Sequence, residues 1–522
     1  MKRRPGANRR AARLPTSAPA SGGGGGGGVV TDGLVFNLDA GDASSYVPYT
    51  GAMGTGITWT DLVNSVALTF AGVPGYSRSP GFVNFRFPGA TGNAATGSPG
   101  AIAAVDKGAL EIWFRWKTSS AQNSGTLATT GGNWVHLGQA AGGGYAEAFE
   151  FFNGVGGGAN RLAMQYVDSG GLTHFRDNQW HQLVLVVTGG GPSDPTTIYL
   201  DGNLMPPISA GVGVEYRIGS NASEVLWNAA SITLGRLGAG SHTFDGDIAI
   251  VRMYDRSGVG DPMFSAAEVA QNFATESSRF SAFYPDTISK LTTWIDMDDA
   301  DNVLLSGSNV DVVRDKAFAV TNVTAQAVGN APALVTVDGR KWASFDASNS
   351  EYLRLFTGAN PLYGSDVFST SGGAKSSWEV HVVMRPDSAN AANTYPYDDD
   401  SVIGDSGGWW GIATNGNMVV KPWIWESPLG KFTDYAVTAG DKHVFGSGMT
   451  LDSGTLKTYK NGVATNVAAG NLGSNGGSLY LGSGYGGYYT GLIGEVCIFN
   501  EELTTTERNN LMAYFQAKWG TP

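Results

Sequence analysis

Residues 244–255 read FDGDIAIVRMYD, and residues 489–500, near the C-terminus, read YTGLIGEVCIFN. In each, a glycine (Gly246, Gly491) opens a short apolar run that an aromatic residue (Tyr254, Phe499) closes. Val251 and Met253 fall on one face of a period-2 strand, and Val496 and Ile498 take the same places in the second copy. The two glycines are 491 − 246 = 245 residues apart, so the 522-residue chain reads as a duplicated unit. On the other face the copies diverge: Glu495 stands where Ile250 does, and Cys497 where Arg252 does. The copies are therefore expected to share a scaffold but not a surface.

Working outward, the first unit starts near Val29 with GLVFNLDAGDASSY (33–46), a short strand followed by an acidic turn. TWTDLVN (58–64), VNFRF (83–87) and ALEIWFRWK (109–117) follow, and in the last of these Leu110, Ile112, Phe114 and Trp116 share one face. NQWHQLVLVV (178–187), TTIYLDGN (196–203) and ITLGRL (232–237) lead into the closing strand. The second unit repeats the order from about Asp286: LTTWIDMDDADNV (291–303), VVRDKA (312–317), KWASFD (341–346), SWEVHVVMRPD (377–387), DKHVFGSGM (441–449), TLKTYKNGV (455–463) and SLYLGSG (478–484). Asp201–Gly202 and Asn461–Gly462 are hairpin turns, because these pairs tolerate positive φ. A helix is expected after each closing strand. One covers 265–274, with Ser265 as N-cap and Glu268 completing a capping box; the other covers 504–519, with Glu507, Leu511, Tyr514 and Phe515 at helical spacing.

The composition fits an all-β protein. There are 76 Gly, 14 Trp, 20 Tyr and 23 Phe, and charged residues make up only 15 %, against roughly 25 % in an average domain. The length allows two or three domains with full cores. A net charge of −12 argues against nucleic acid as the main partner. The single cysteine, Cys497, excludes an intramolecular disulfide framework and is expected to be an inert thiol off the deepest core. No apolar run approaches the ~18 residues of a membrane span, and no apolar stretch follows the basic N-terminus, so neither membrane insertion nor classical export is expected.

Residues 1–28 differ from the rest. Lys2, Arg3, Arg4, Arg9, Arg10 and Arg13 are followed by a Pro/Ser/Ala stretch and the polyglycine 22–28, a flexible tether that cannot fold alone. A basic arm on an acidic chain reads as an electrostatic anchor to a larger assembly; a solvated tail is the alternative.

Lined up, NQWHQLVLVV, IYLDGN, ITLGRL and FDGDIAIVRMYD in the first unit resemble the laminin-G-like, or concanavalin A-like, jelly roll, as do DKHVFGSGM, LKTYKNGV, LYLGSG and YTGLIGEVCIF in the second. The opening GLVFNLDAGDASSY and the order LTTWIDMDDADNV, VVRDKA, KWASFDASNSEYL resemble the versions found in tailed-phage structural proteins, which serve as fibres, spikes or decoration proteins. The resemblance covers 29–522. It implies an all-β fold of two tandem jelly-roll β-sandwiches, 29–284 and 285–522, each followed by a short helix, behind the arm 1–28. It does not name a ligand, because this fold hosts lectins, hydrolases, lyases and adhesion modules alike.

The chemistry-bearing residues narrow the choice. Retaining glycoside hydrolysis needs two carboxylates about 5–5.5 Å apart, and no E-x-D-x-E strand occurs. Glu111 and Glu379 match each other on the aligned strands but each stands alone among apolar neighbours, and Glu147 and Glu150 are three apart. GDSGG (404–408) has the letters of a nucleophile elbow but no helix directly after Ser406. Asp296, Asp298, Asp299 and Asp301 cluster, and Asp398–Asp400 run together, so that several oxygens close in sequence could ligate calcium; the competing reading is turn capping. His181 and His443 occupy equivalent strand starts, which suggests structural hydrogen bonds. Loop aromatics remain: Trp409, Trp410, Trp423 and Trp425, with Tyr485, Tyr488 and Tyr489, would stack on sugar rings if exposed together, or fill the core if not.

These expectations combine into a non-enzymatic virion structural protein of a tailed phage. It would be synthesised in the host cytoplasm, anchored to capsid or tail proteins by its arm, present as a homo-oligomer or in multiple copies on the particle, and able to adhere to host-surface glycans. A cellular carbohydrate-binding module is the alternative, with a polysaccharide hydrolase or lyase behind it.

Overall fold

The computed structural model describes residues 28–47, 58–71, 75–77, 81–85, 94–98, 107–116, 124–130, 133–138, 148–152, 161–165, 177–187, 197–204, 231–236, 244–258, 262–288, 290–299, 302–317, 324–327, 330–354, 377–387, 400–405, 410–415, 419–426, 429–432, 435–450, 455–469, 479–484 and 487–522. The arm residues Lys2, Arg3, Arg4, Arg9, Arg10 and Arg13 lie outside them.

The first sandwich is organised by β1 (Leu34–Asp39), β2 (Gly108–Trp116), β3 (Trp180–Val187), β4 (Thr197–Leu200) and β5 (Gly246–Asp255). In one sheet β4, β3, β2 and β5 lie side by side, and β1 and strand Phe82–Asn84 both pair with β5. The facing sheet contains Trp59, Leu68, Leu127, Ile232 and Leu234. Their side chains meet Phe36, Leu38, Ile112, Phe114, Val251 and Met253 in one core. Leu110, Ile112, Phe114 and Trp116 do share that face, as the alternation predicts.

Alternation does not, however, leave the other face to water: all nine residues of β2 are buried. The cover is α1 (Ala266–Ser281), whose capping box joins Ser265 and Glu268. It runs beyond the expected end at residue 274 because its last turns have tertiary partners. Phe280 stacks on Trp113 at 4.6 Å, and Arg279 pairs with Asp39.

The second unit repeats this plan with β6 (Leu291–Asp296), β7 (Arg340–Phe345), β8 (Trp378–Pro386), β9 (His443–Thr450), β10 (Thr455–Lys460) and β11 (Gly491–Phe499). β10, β9, β8 and β11 are neighbours, and β6 and β7 both pair with β11. Hydrogen-bond pairing joins the strands of this unit into a closed circuit. α2 (Thr505–Trp519), capped by Thr504 and Glu507, covers the face opposite the sandwich core with Leu511, Phe515 and Trp519. Burying such side chains contributes about 1.5–3 kcal/mol each.

The register makes the duplication explicit. Val251 faces Ile112 and Met253 faces Leu110; Val496 faces Val382 and Ile498 faces Val380. Both closing strands carry a bulge at the same place, after Ile248 and after Ile493. Both opening glycines pass hard against the neighbouring strand. A Cβ at Gly246 would lie 2.2 Å from the carbonyl oxygen of Arg115, and one at Gly491 2.6 Å from that of Arg385. The hairpin residues Asp201, Gly202, Asn461 and Gly462 have φ of 53°, 76°, 51° and 79°, as read from their sequence.

The register also corrects one alignment. Glu379 pairs with Phe499, whose counterpart Tyr254 pairs with Ala109, while the counterpart of Glu111 is His381. Glu111 and Glu379 thus share a face but sit two positions apart. Cys497 is likewise deeper than expected: it is fully buried under α2. Burial pushes its thiol pKa up, consistent with an inert group.

Gly246→Ala should destabilise the first sandwich by about 1–3 kcal/mol, since the backbone must shift to admit the methyl group. Thermal unfolding followed by near-UV circular dichroism would check it; an unchanged transition would contradict the close approach.

Candidate ligand-binding surface

The interior carboxylates are engaged within the fold. Glu111 is not alone: it accepts from Trp113 Nε1 (3.0 Å), Gln182 Nε2 (2.7 Å) and Asn272 Nδ2 of α1 (2.8 Å). Glu379 accepts from Arg508 of α2 through two nitrogens, at 2.8 and 2.7 Å, and from the Leu503 amide at 3.1 Å, with the His381 ring at 2.6 Å. Burial alone would raise the Glu379 pKa, but the hydrogen bonds from Arg508 and His381 outweigh it and hold it at about 2. A permanently ionised, cation-clamped carboxylate is a structural anchor and a poor proton donor.

A second cluster has the same character. Asp296 meets Lys316 Nζ at 2.9 Å and Lys518 Nζ at 2.7 Å, and Lys316 also holds Asp299 at 2.9 Å. Asp298 pairs with Arg340 and accepts from the Lys341 amide. The acidic run that was the calcium candidate is thus neutralised by the protein's own cations at Asp296, Asp298 and Asp299; Asp301 lies outside the described residues. Asp296 also caps its own turn through the Asp298 amide, as the competing reading has it. Among the described residues no group of three or more His, Cys, Asp or Glu could hold a metal ion. No described helix is long and apolar enough to cross a membrane.

The aromatic residues separate into four groups. Trp409 and Tyr485 lie outside the described residues. Trp410 starts strand Trp410–Asn415 and pairs with Ile424, whereas Trp423 pairs with Gly411 and Trp425 with Gly430. These pairings put the three tryptophans on two adjacent strands. Tyr489 does not belong to a surface: it is fully buried in the sandwich core, 6.4 Å from the Phe345 ring. Its place before Gly491, where the strand dives inward, puts it there.

Tyr488 is half-buried and has company that sequence spacing could not show. Its ring lies 6.2 Å from Tyr352, which in turn meets Tyr480 edge-on at 5.6 Å. Pairing brings them together, since Leu353 faces Leu481 and Arg354 faces Tyr480. Exposed polar groups flank them. Asp346 caps a short turn through Ser348, Asn349 contacts Glu351, and the Ala347 amide donates to Thr490. Three half-buried tyrosine rings beside amide and carboxylate groups form a surface suited to a ligand with an apolar face and a hydroxyl rim, which is the chemistry of a sugar. The local signal was the Tyr in NSEYL, whose partners lie more than a hundred residues away.

The two equivalent histidines have diverged. His181 Nδ1 lies 2.8 Å from Asp201 Oδ2 and Nε2 3.1 Å from Asp177, which outweighs burial and raises its pKa to about 9. His443 has no hydrogen-bond partner among the described residues, contrary to expectation, and burial lowers its pKa. Both partners differ: Ala439 stands where Asp177 does, and Asn461 where Asp201 does. Asp201 Oδ1 accepts from the Gln182 amide and leaves Oδ2 for His181; Asn461 Oδ1 accepts from the Val444 amide and leaves only an NH₂ group. A folded-state pKa raised above the usual 6.5 adds stability below that value, and the gain disappears as pH rises through about 9. His181→Ala should therefore lower the melting temperature of the first sandwich at pH 6 and hardly at all above pH 9.5, by calorimetry at both values; an equal loss at both would sink the ion-pair account.

Residues 88–259 match the sequence family described as the concanavalin A-like lectin/glucanases superfamily. No curated protein matches the chain. Among solved structures it is similar to domain 4 of an extracellular arabinanase from Geobacillus stearothermophilus (17 % identity, 43 % of this chain, 98 % of that one, TM-score 0.30). It is similar too to the mouse laminin α1 chain domains LG4-5 (11 %, 82 % and 90 %, TM-score 0.32) and to the botulinum neurotoxin type G receptor-binding domain (11 %, 79 % and 88 %, TM-score 0.31). With its sheet order and its family match at 88–259, this chain has the concanavalin A-like, laminin-G-like jelly-roll fold, built twice.

Proposed function

We propose that this chain is a non-enzymatic structural and adhesion protein of a tailed-phage particle, held by its basic arm and binding host-surface glycans through the second sandwich. The observation that carries the adhesion reading is the Tyr352–Tyr480–Tyr488 surface with its polar rim. The interior carboxylates support a binding role over hydrolysis, because Glu111, Glu379 and Asp296 are each held by buried partners. The arm's root supports an anchor. The Gly28 carbonyl accepts from Gln271, and the Val30 amide donates to Asn272, so the tether leaves from a fixed point on α1. The particle context rests on the phage-like order of the opening segments and on a basic arm joined to an acidic body. The family match at 88–259 fits a cellular carbohydrate-binding module equally, and the particle separates the two.

Mass spectrometry of purified particles should detect the chain, and removal of residues 1–28 should abolish its association with them; particles lacking the chain would remove the virion reading. Tyr352→Ala and Tyr488→Ala should each weaken binding to host cells or a glycan array about tenfold, ~1.4 kcal/mol. Unchanged binding would place adhesion elsewhere. Release of reducing sugar from host polysaccharide would show an enzyme instead.

A further inference from the structure

Residues 282–288 lead from α1 toward the second sandwich, and a flexible hinge is the default for such a segment. We propose instead that it is a clasp, gripped by buried polar groups of the first sandwich and by aromatic packing of the second, which locks the two into one rigid body. Arg115, the penultimate residue of β2, is fully buried. Its Nε donates to Asp247 Oδ2 at 2.7 Å and its Nη2 to Asp286 Oδ2 at 2.5 Å. Asp247 belongs to β5, but Asp286 belongs to the connecting segment. The guanidinium lies against Phe82 and Trp180, 5.0 and 4.9 Å from the ring centres. Asn178 takes the backbone of the same segment, donating to the carbonyl oxygens of Asp286 (3.4 Å) and Thr287.

The second sandwich holds the other side. Phe283 and Tyr284 lie 6.4 and 6.2 Å from the Tyr514 ring of α2, and Ile288 enters the core beneath that helix. Asn302 also reaches the Tyr76 carbonyl oxygen directly, at 3.5 Å.

The duplication shows that the jelly roll does not itself need these groups. Arg385 is the counterpart of Arg115, and the residue paired with it is Leu492 where the first copy has Asp247. Gly440 is the counterpart of Asn178: both have positive φ, 84° and 64°, and both donate to the end of the central strand, at Pro386 and Trp116. Arg385 pairs with its near neighbour Asp387 and is partly exposed. The second sandwich folds with Leu and Gly where the first has Asp and Asn. In the first copy those two side chains therefore serve the connection. Opening the joint would leave Arg115 and Asp286 to lose a buried charge pair, which holds it shut. Because the tether is rooted on α1, the clasp also fixes how the second sandwich points relative to the tether, whatever the arm binds.

The test is a pulsed-EPR distance measurement on the full chain with spin labels at Leu62→Cys and Val463→Cys. Both positions are exposed, one on each sandwich, and Cys497 is buried. The parent chain should give one narrow distance distribution. The Asn178→Gly/Asp286→Asn variant leaves the Arg115–Asp247 pair in place and keeps a residue that tolerates positive φ. It should give a broad distribution, with chymotryptic cleavage after Phe283 rising about 10- to 100-fold, the factor for losing hydrogen bonds to a charged group. A broad distribution in the parent, or a variant with unchanged distance or cleavage, would overturn the clasp. Unaltered near-UV circular dichroism of the variant would show that both sandwiches are still folded.

Discussion

The structure depends on burying both faces of the sheet that carries the closing strand. One face meets the opposing sheet; the other has only a single helix to cover it. That helix is docked by a buried carboxylate in each copy: Glu111 to Asn272 of α1, and Glu379 to Arg508 of α2. Apolar packing drives the docking, and the polar hub sets its position, because a helix shifted by one turn would take its own donor away from a carboxylate in a dry interior. Removing one partner of a buried pair such as Glu379–Arg508 costs about 3–5 kcal/mol, more than any one apolar contact beside it.

The two copies solve this problem with different residues. The first anchors α1 with neutral Asn272, and the second anchors α2 with charged Arg508. The hub carboxylate itself has moved two positions along the strand between copies. Around Glu495 the second copy adds a further network in which Trp294, Tyr514, Lys518 and Trp519 all converge on one carboxylate. Burial raises its pKa despite these partners. Divergence thus concentrates on the helix-covered face and at the joint, while the face toward the sandwich core keeps its aliphatic pattern.

This division bears on function. Among the described residues, the interior carboxylates Glu111, Glu379 and Asp296 hold the fold together. Among the described residues of the second copy, a set of half-buried tyrosines with polar neighbours forms the surface on which the proposed adhesion rests. A rigid joint adds to such a role, because a binding surface at fixed orientation loses less entropy on contact than one on a hinge.

Local pattern was enough to determine the first capping box, the hairpin glycines and the aliphatic face of the closing strands, and the recurrence of that pattern 245 residues on revealed the duplication. Within each copy these features depend on residues a few positions apart, where steric and hydrogen-bonding preferences act directly. The places where reading failed are those where a partner from far along the chain decides. Glu111 looked isolated because Asn272 is 161 residues away; the Asp296 cluster kept a calcium reading beside turn capping because Lys518 lies at the other end of the unit; Tyr489 looked like a surface residue beside Tyr488. A buried charge is stable only with a partner, and an aromatic ring binds a ligand only if the fold leaves it uncovered. Both conditions are properties of packing in three dimensions, and only the tertiary structure could decide them.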